Sequence, residues 1–129
     1  MKPELNLLVW AVALTVVQML VAVMGAFGQV GLMKLVGNRE DMPKMMGWAG
    51  RAERAHVNMV INLVLFAALV LVAIAAGKTN AVTLLGAQLF VWSRVAYAII
   101  YLAGIIWLRT VSWLVSIIGL VLIFAQLLK

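Results

Sequence analysis

Four apolar runs, each long enough to cross a bilayer, constrain this chain more than anything else in it. They cover roughly residues 5–36, 52–76, 80–106 and 110–128. About 20 helical residues span a hydrocarbon core, whereas a barrel strand needs about half that number. Only helices and closed barrels satisfy their own backbone in lipid, so runs of this length predict helices. The expected fold is all-α: an integral membrane four-helix bundle, one transmembrane domain over residues 1–129, with a loop at 37–50. Composition agrees, because 67% hydrophobic residues is more apolar surface than a soluble domain of 129 residues can hide.

The first run is far too long for the apolar region of a signal peptide, and only Lys2 precedes it, so it reads as a retained helix. Near its end Gly25, Gly28 and Gly31 fall close to one face. They either let another helix approach closely or are ordinary glycines of a membrane helix.

Cysteine is absent, which excludes disulfides, thiolate metal sites and a cysteine nucleophile. A single histidine, His56, cannot build a metal cluster. The formal charge is +6, yet the cations sit in short loops or singly within apolar runs. That pattern reports membrane topology rather than a nucleic-acid partner. Lys34, Arg39, Lys44, Arg51, Arg54 and Arg109 fall on one side of the membrane, and Lys2, Lys78 and Lys129 on the other. The positive-inside rule places the first group in the cytoplasm and both termini outside.

Several polar residues stand where lipid would not tolerate them. Arg54, Asn58 and Ile61 share a face of the second span, with Asn62 beside it, and Arg94, Tyr97 and Tyr101 share a face of the third. With a span of 80–106, Arg94 falls near the bilayer midplane. A lipid-facing arginine there costs at least about 2.5–3.5 kcal/mol, so Arg94 should face protein or a polar cavity. None of the four acids, Glu4, Glu40, Asp41 and Glu53, lies deep within a span. Arg94 is then satisfied by neutral acceptors, or it awaits an anion from outside. Arg109, with Thr110 beside it, opens the fourth span and could fix an anion or stabilise a thiolate. By itself it would read as an interfacial arginine with a capping threonine. Glu53 and His56 read as residues of a helix mouth, and Trp48, Trp107 and Trp113 as aromatic belt or inter-helix packing.

The segments "GNRED…GRAERAHVNMVINLVLFAALVLV" and "SRVAYAIIYLAGIIWLRTVSW" resemble the MAPEG family, membrane-associated proteins in eicosanoid and glutathione metabolism, and especially its small bacterial members. The likeness covers about residues 37–113, and the four-span layout extends it to the whole chain. It implies a homotrimer in the bacterial inner membrane, with glutathione as cosubstrate bound between protomers near the cytoplasmic side. Lipophilic small molecules would reach the site from the bilayer. It further implies that Arg54 and Asn58 contact glutathione, that Arg94, Tyr97 and Tyr101 line the same site, and that Arg109 and Thr110 stabilise its thiolate.

One departure stands out. The family pattern is N-x-x-E, and here Ile61 occupies the place of the acid that engages the amino group of glutathione. Val64 and Ile99 stand near positions where relatives often carry proline, and Val57 where one branch carries arginine. The leading expectation is a glutathione-dependent transferase or peroxidase acting on lipophilic electrophiles, whose thiol arrives with the cosubstrate. A catalytically silent or altered scaffold of the same fold is the alternative, with Ile61 its motive. A small multidrug transporter ranks last, since proton coupling needs a membrane-buried carboxylate.

Overall fold

The computed structural model describes residues 1–129. It is entirely helical: α1 (Pro3–Val30), α2 (Leu32–Val36), α3 (Gly47–Ala75), α4 (Ala81–Ala103) and α5 (Ile106–Leu127). All but the short α2 are long and apolar enough to cross a membrane, and the protein is an integral membrane protein.

The helix bounds differ from the expected ones for local reasons. The first run breaks at Gly31, where φ is +81°, a backbone state that a side chain would strain. Residues 32–36 therefore form α2 rather than extending α1. The second span starts at Gly47, before the expected residue 52, so part of the anticipated 37–50 loop is helical. The third ends at Ala103 because Gly104 adopts the left-handed conformation, its N–H donating to the carbonyls of Ile100 and Tyr101. The fourth starts at Ile106, not 110. The α4–α5 connection is thus only Gly104 and Ile105.

α3 and α4 form the middle of the bundle. α5 packs most extensively on α4 and also touches α3; α1 packs most extensively on α3 and also touches α4; α1 and α5 do not meet. Two troughs result, one on each flank of the α3–α4 pair. Along the middle run Met59, Phe66 and Val70 of α3 with Ala87, Phe90 and Val91 of α4. The rings of Phe66 and Phe90 stack at 4.2 Å between centroids.

Small residues set the close crossings. A Cβ added to Gly86 would lie 2.6 Å from the Gly119 carbonyl oxygen, and one added to Gly119 would lie 2.5 Å from that of Gly86. Only glycine at both positions lets α4 and α5 approach so closely. Of the three glycines near the end of the first run, Gly25 alone serves a crossing. A Cβ there would lie 2.7 Å from Ala49 Cβ, with Trp48 also against it, whereas Gly28 meets nothing within 4 Å.

Each end of the bundle is tied by hydrogen bonds. At the end holding both termini, Asn80 caps α4 in a reciprocal pair with Thr83, and Thr83 Oγ1 lies 3.2 Å from Glu4 Oε2. Lys78 Nζ donates to the Leu127 carbonyl at 3.1 Å. At the opposite end Arg51 Nε donates to the Leu102 carbonyl at 3.0 Å, fastening α3 to the last turn of α4.

Candidate functional site

In the trough between α3, α4 and α5, three guanidinium groups gather on two tyrosines. Tyr97 and Tyr101 meet edge to face at 5.5 Å between ring centroids. Arg94 Cζ lies 4.2 Å from the Tyr97 ring centre, and Arg109 Cζ lies 4.6 Å from that of Tyr101. Arg54 Nε donates to Tyr101 Oη at 3.1 Å. The aromatic faces supply the electron density that each cation would otherwise take from water. Tyr101 is therefore the hub, holding one cation by its hydroxyl and another by its ring.

The short α4–α5 turn explains Arg109. Because α5 begins at Ile106, Arg109 falls in the first turn and reaches back over α4 to Tyr101. No side chain caps this helix start, so its first N–H groups keep their positive partial charge for an anion.

Two hollows open beside this framework. One of about 190 Å3 is lined by Asn58, Tyr97, Arg109, Thr110 and Trp113. The other, of about 340 Å3, is lined by Lys44, Met45, Glu53, Arg54, Val57, Asn58 and Ile61. Asn58 belongs to both and is steadied from below by the buried Asn62, whose Nδ2 lies 2.9 Å from the Asn58 carbonyl and 3.2 Å from its Oδ1.

Arg54, Asn58 and Ile61 thus face one hollow, and Tyr97, Arg109 and Thr110 face the other. Arg94 and Tyr101 are outside the lining of both. Ile61 is 60% exposed and presents a bare apolar wall. Arg94 lies about 14 Å from the Ala103 end of α4 and about 20 Å from its Ala81 end at 1.5 Å per residue, close to the middle of the helix. It is turned fully inward, the largest fully buried side chain of the protein, and all three of its nitrogens lack a hydrogen-bond partner.

Sequence reasoning passed over Lys44 as a lining residue and assigned Trp113 to belt or packing. Trp113 lies three residues after Thr110, on the same face of α5, a spacing that could have marked it. Lys44 carried no comparable signal, because its loop has no periodicity. His56 borders a different hollow, with Arg39 and Glu53. Trp107 is 78% exposed, as a belt residue would be.

Fold and site together define a small polytopic membrane protein with a basic, aromatic-braced hollow near one end of its bundle. Comparison with known protein families matches residues 7–129 to the MAPEG family. The chain belongs to the MAPEG family, a family of membrane proteins of glutathione-related transferase and peroxidase type. Searches of the curated proteins and of the solved structures give no match.

Proposed function

We propose that the protein is a glutathione-dependent transferase or peroxidase acting on lipophilic electrophiles drawn from the bilayer. The observation that carries this reading is the gathering of Arg54, Arg94 and Arg109 on Tyr97 and Tyr101, beside a hollow whose lining holds no acid. In the Arg109 hollow, where no acid lines the wall, this concentration of cations favours an anionic guest, while Glu53 stands with Arg54 in the neighbouring hollow. Arg94 supports this from behind Tyr97. Its charge is unpartnered at full burial, an arrangement that costs several kcal/mol unless something compensates it.

The residues fit a tripeptide with two carboxylates and a thiol. Arg54 and Asn58 would hold it from α3, while Arg109, Thr110 and the N-terminus of α5 would face its sulfur. When bound, glutathione supplies the thiol that attacks the electrophile, or that reduces a peroxide. The role of Arg109 is to favour the thiolate over the thiol by placing a permanent cation beside it. The Thr110 hydroxyl can donate a hydrogen bond to the same sulfur. Tyr101 keeps Arg109 and Arg54 in place, so neither must be ordered when the ligand binds. As part of the same reading, the active unit is a homotrimer in the bacterial inner membrane, with the basic end of the bundle in the cytoplasm.

The test is calorimetry with glutathione on detergent-purified protein, together with thiolate absorbance and conjugation to a test electrophile. Binding and a thiolate signal are expected in the parent. Loss of a charge-assisted contact of about 1.5–3 kcal/mol should lower affinity or rate by roughly 10- to 100-fold in Arg109→Ala. A parent protein with no binding and no activity would reject the proposal. The altered-scaffold reading draws on Ile61, whose exposed apolar side chain stands on the wall beside Arg54 and Asn58 where the family pattern has an acid, so that Glu53 is the one carboxylate lining that hollow.

A further inference from the structure

A third hollow, of about 520 Å3, opens where α1, the connection after α2 and the first three turns of α3 meet. It is larger than either hollow of the arginine–tyrosine site and shares with one of them the wall of Lys44, Met45, Glu53 and Val57. Arg54, Asn58 and Ile61 do not line it. Its walls are of two kinds. Met19, Ala22, Val23 and Ala26 of α1 recur at the spacing of one helix face and form an apolar stripe. Arg39 and Lys44 line it from the connection, and Glu53 and His56 from α3.

The stripe is open to the bilayer, since Met19 and Val23 are exposed. Gln29 fixes its depth. Nε2 of Gln29 donates to the Met46 carbonyl at 2.7 Å, and its Oε1 accepts from the Met46 N–H at 3.0 Å. The last turn of α1 therefore stands level with the start of α3. From Gln29 the stripe runs from roughly 5 Å along the helix at Ala26 to roughly 15 Å at Met19. The two cations thus lie at the loop end, where a bilayer has its headgroups, and the apolar surface continues inward, where it has its chains.

The charged wall is largely uncommitted. Arg39 alone is engaged, its Nε donating to the Leu35 carbonyl at 2.8 Å. Its backbone holds φ +60°, the one non-glycine residue with positive φ, a state that costs about 1 kcal/mol or more and persists only where the surroundings fix it. The side chains of Lys44, Glu53 and His56 make neither ion pair nor hydrogen bond.

Two cations, one carboxylate and an apolar stripe restrict the occupant. A free fatty acid would satisfy a cation and leave Glu53 unmatched. A purely anionic head would set its charge beside that of Glu53. A choline head is cationic but has no N–H to donate. A head that joins a phosphodiester to a primary ammonium meets every condition. Arg39 and Lys44 take the phosphate, the ammonium donates to Glu53, and an acyl chain follows the stripe. We infer that this hollow is a binding site for a phospholipid of the phosphatidylethanolamine class, with Glu53 selecting its ammonium. The inference does not rest on the glutathione reading.

The experiment is native mass spectrometry of the full chain in detergent, titrated with dioleoyl phosphatidylethanolamine, phosphatidylcholine or phosphatidylglycerol. The parent should retain the ethanolamine lipid about 10-fold more tightly than either of the others, the range of one charge-assisted hydrogen bond. Glu53→Gln should erase the preference over phosphatidylcholine and leave phosphatidylcholine binding unchanged, whereas Arg39→Gln should weaken both. Arg39 and Glu53 are exposed, so neither change disturbs packing, and the comparison of lipids on the parent stands without any variant. Free O-phosphoethanolamine should compete only at far higher concentration, because it has no chain for the stripe. Equal retention of the three lipids would overturn the inference, as it would if a second copy covers the hollow. So would tighter retention of phosphatidylglycerol, a preference that survives Glu53→Gln, or equal competition by O-phosphoethanolamine.

Discussion

Arg94 shows how differently a residue can weigh on stability and on binding. Its guanidinium is fully buried, braced by the Tyr97 ring and by nothing that accepts a hydrogen bond. Replacing a buried charge by an apolar side chain of similar length is often neutral or stabilising. Arg94→Met is therefore expected to unfold at the parent's temperature or higher in detergent without ligand. The same variant should lose most of the thermal shift that glutathione gives the parent, because the positive potential behind Tyr97 has gone. A large loss of stability without ligand would show instead that the arginine supports the fold. Position 61 offers the converse experiment. Its side chain is exposed on the wall it shares with Arg54 and Asn58, so Ile61→Glu adds a carboxylate without disturbing packing. Affinity for glutathione, measured by calorimetry, should rise about 10- to 100-fold, the worth of one charge-assisted hydrogen bond. Equal affinities would mean that this position does not govern the site. The grouping of Arg54 with Asn58, and of Arg94 with the two tyrosines, could be read from spacing alone, since residues three, four and seven apart share a helix face. That the α3 and α4 faces converge, and that Tyr101 joins Arg54 to Arg109, could not.

At the scale of elements, two glycine arrangements hold the site in position. The α4–α5 turn reverses the chain in two residues because Gly104 takes φ +84°, a state that costs an alanine about 1 kcal/mol or more. Gly104→Ala should lower stability by about that amount, and it should weaken glutathione binding further by loosening Arg109 from Tyr101. Chemical unfolding and calorimetry on the one variant separate the two effects. The second arrangement is the Gly86–Gly119 crossing. A valine at position 119 would push its Cβ into the Gly86 carbonyl, and overpacking of this kind costs about 1–3 kcal/mol. Gly119→Val should lower the unfolding temperature while leaving every lining residue of the site unchanged. The four spans themselves were legible, because length and hydropathy are properties of each segment alone. Their ends were less so. Runs of apolar residues conceal a break such as Gly31, and the expected boundaries ran past Gly31 and Gly104 because a glycine's φ does not show in its neighbours' hydropathy.

The whole molecule is basic at one end and sparsely charged at the other. Lys34, Arg39, Lys44, Arg51, Arg54 and Arg109 lie toward the end holding α2 and the α4–α5 turn, and Lys2, Lys78 and Lys129 toward the end holding the termini. The positive-inside rule predicts that the first end faces the cytoplasm. The absence of cysteine makes the test simple. A cysteine introduced at Asn38 should be shielded from a membrane-impermeant maleimide in intact cells, and one at Lys129 should be labelled. The reverse pattern would invert the topology. Assembly belongs to this scale as well. Native mass spectrometry in detergent should show three copies, and a monomer that retains full glutathione affinity would place the complete site within one chain.

By itself the sequence determined that the protein is helical, that four segments can cross a bilayer, and which polar residues share a helix face. Each of these follows from composition or from the 3.6-residue period, both local properties of a chain. Only the tertiary structure decided that α5 lies on one flank of the α3–α4 pair and α1 on the other. It likewise decided that Trp113 and Lys44 border the hollows, and that Arg94 is buried without a hydrogen-bond partner. Those outcomes depend on where helices cross and how closely they approach, set by contacts such as Gly86 with Gly119 and Gly25 with Ala49 between residues far apart in the chain.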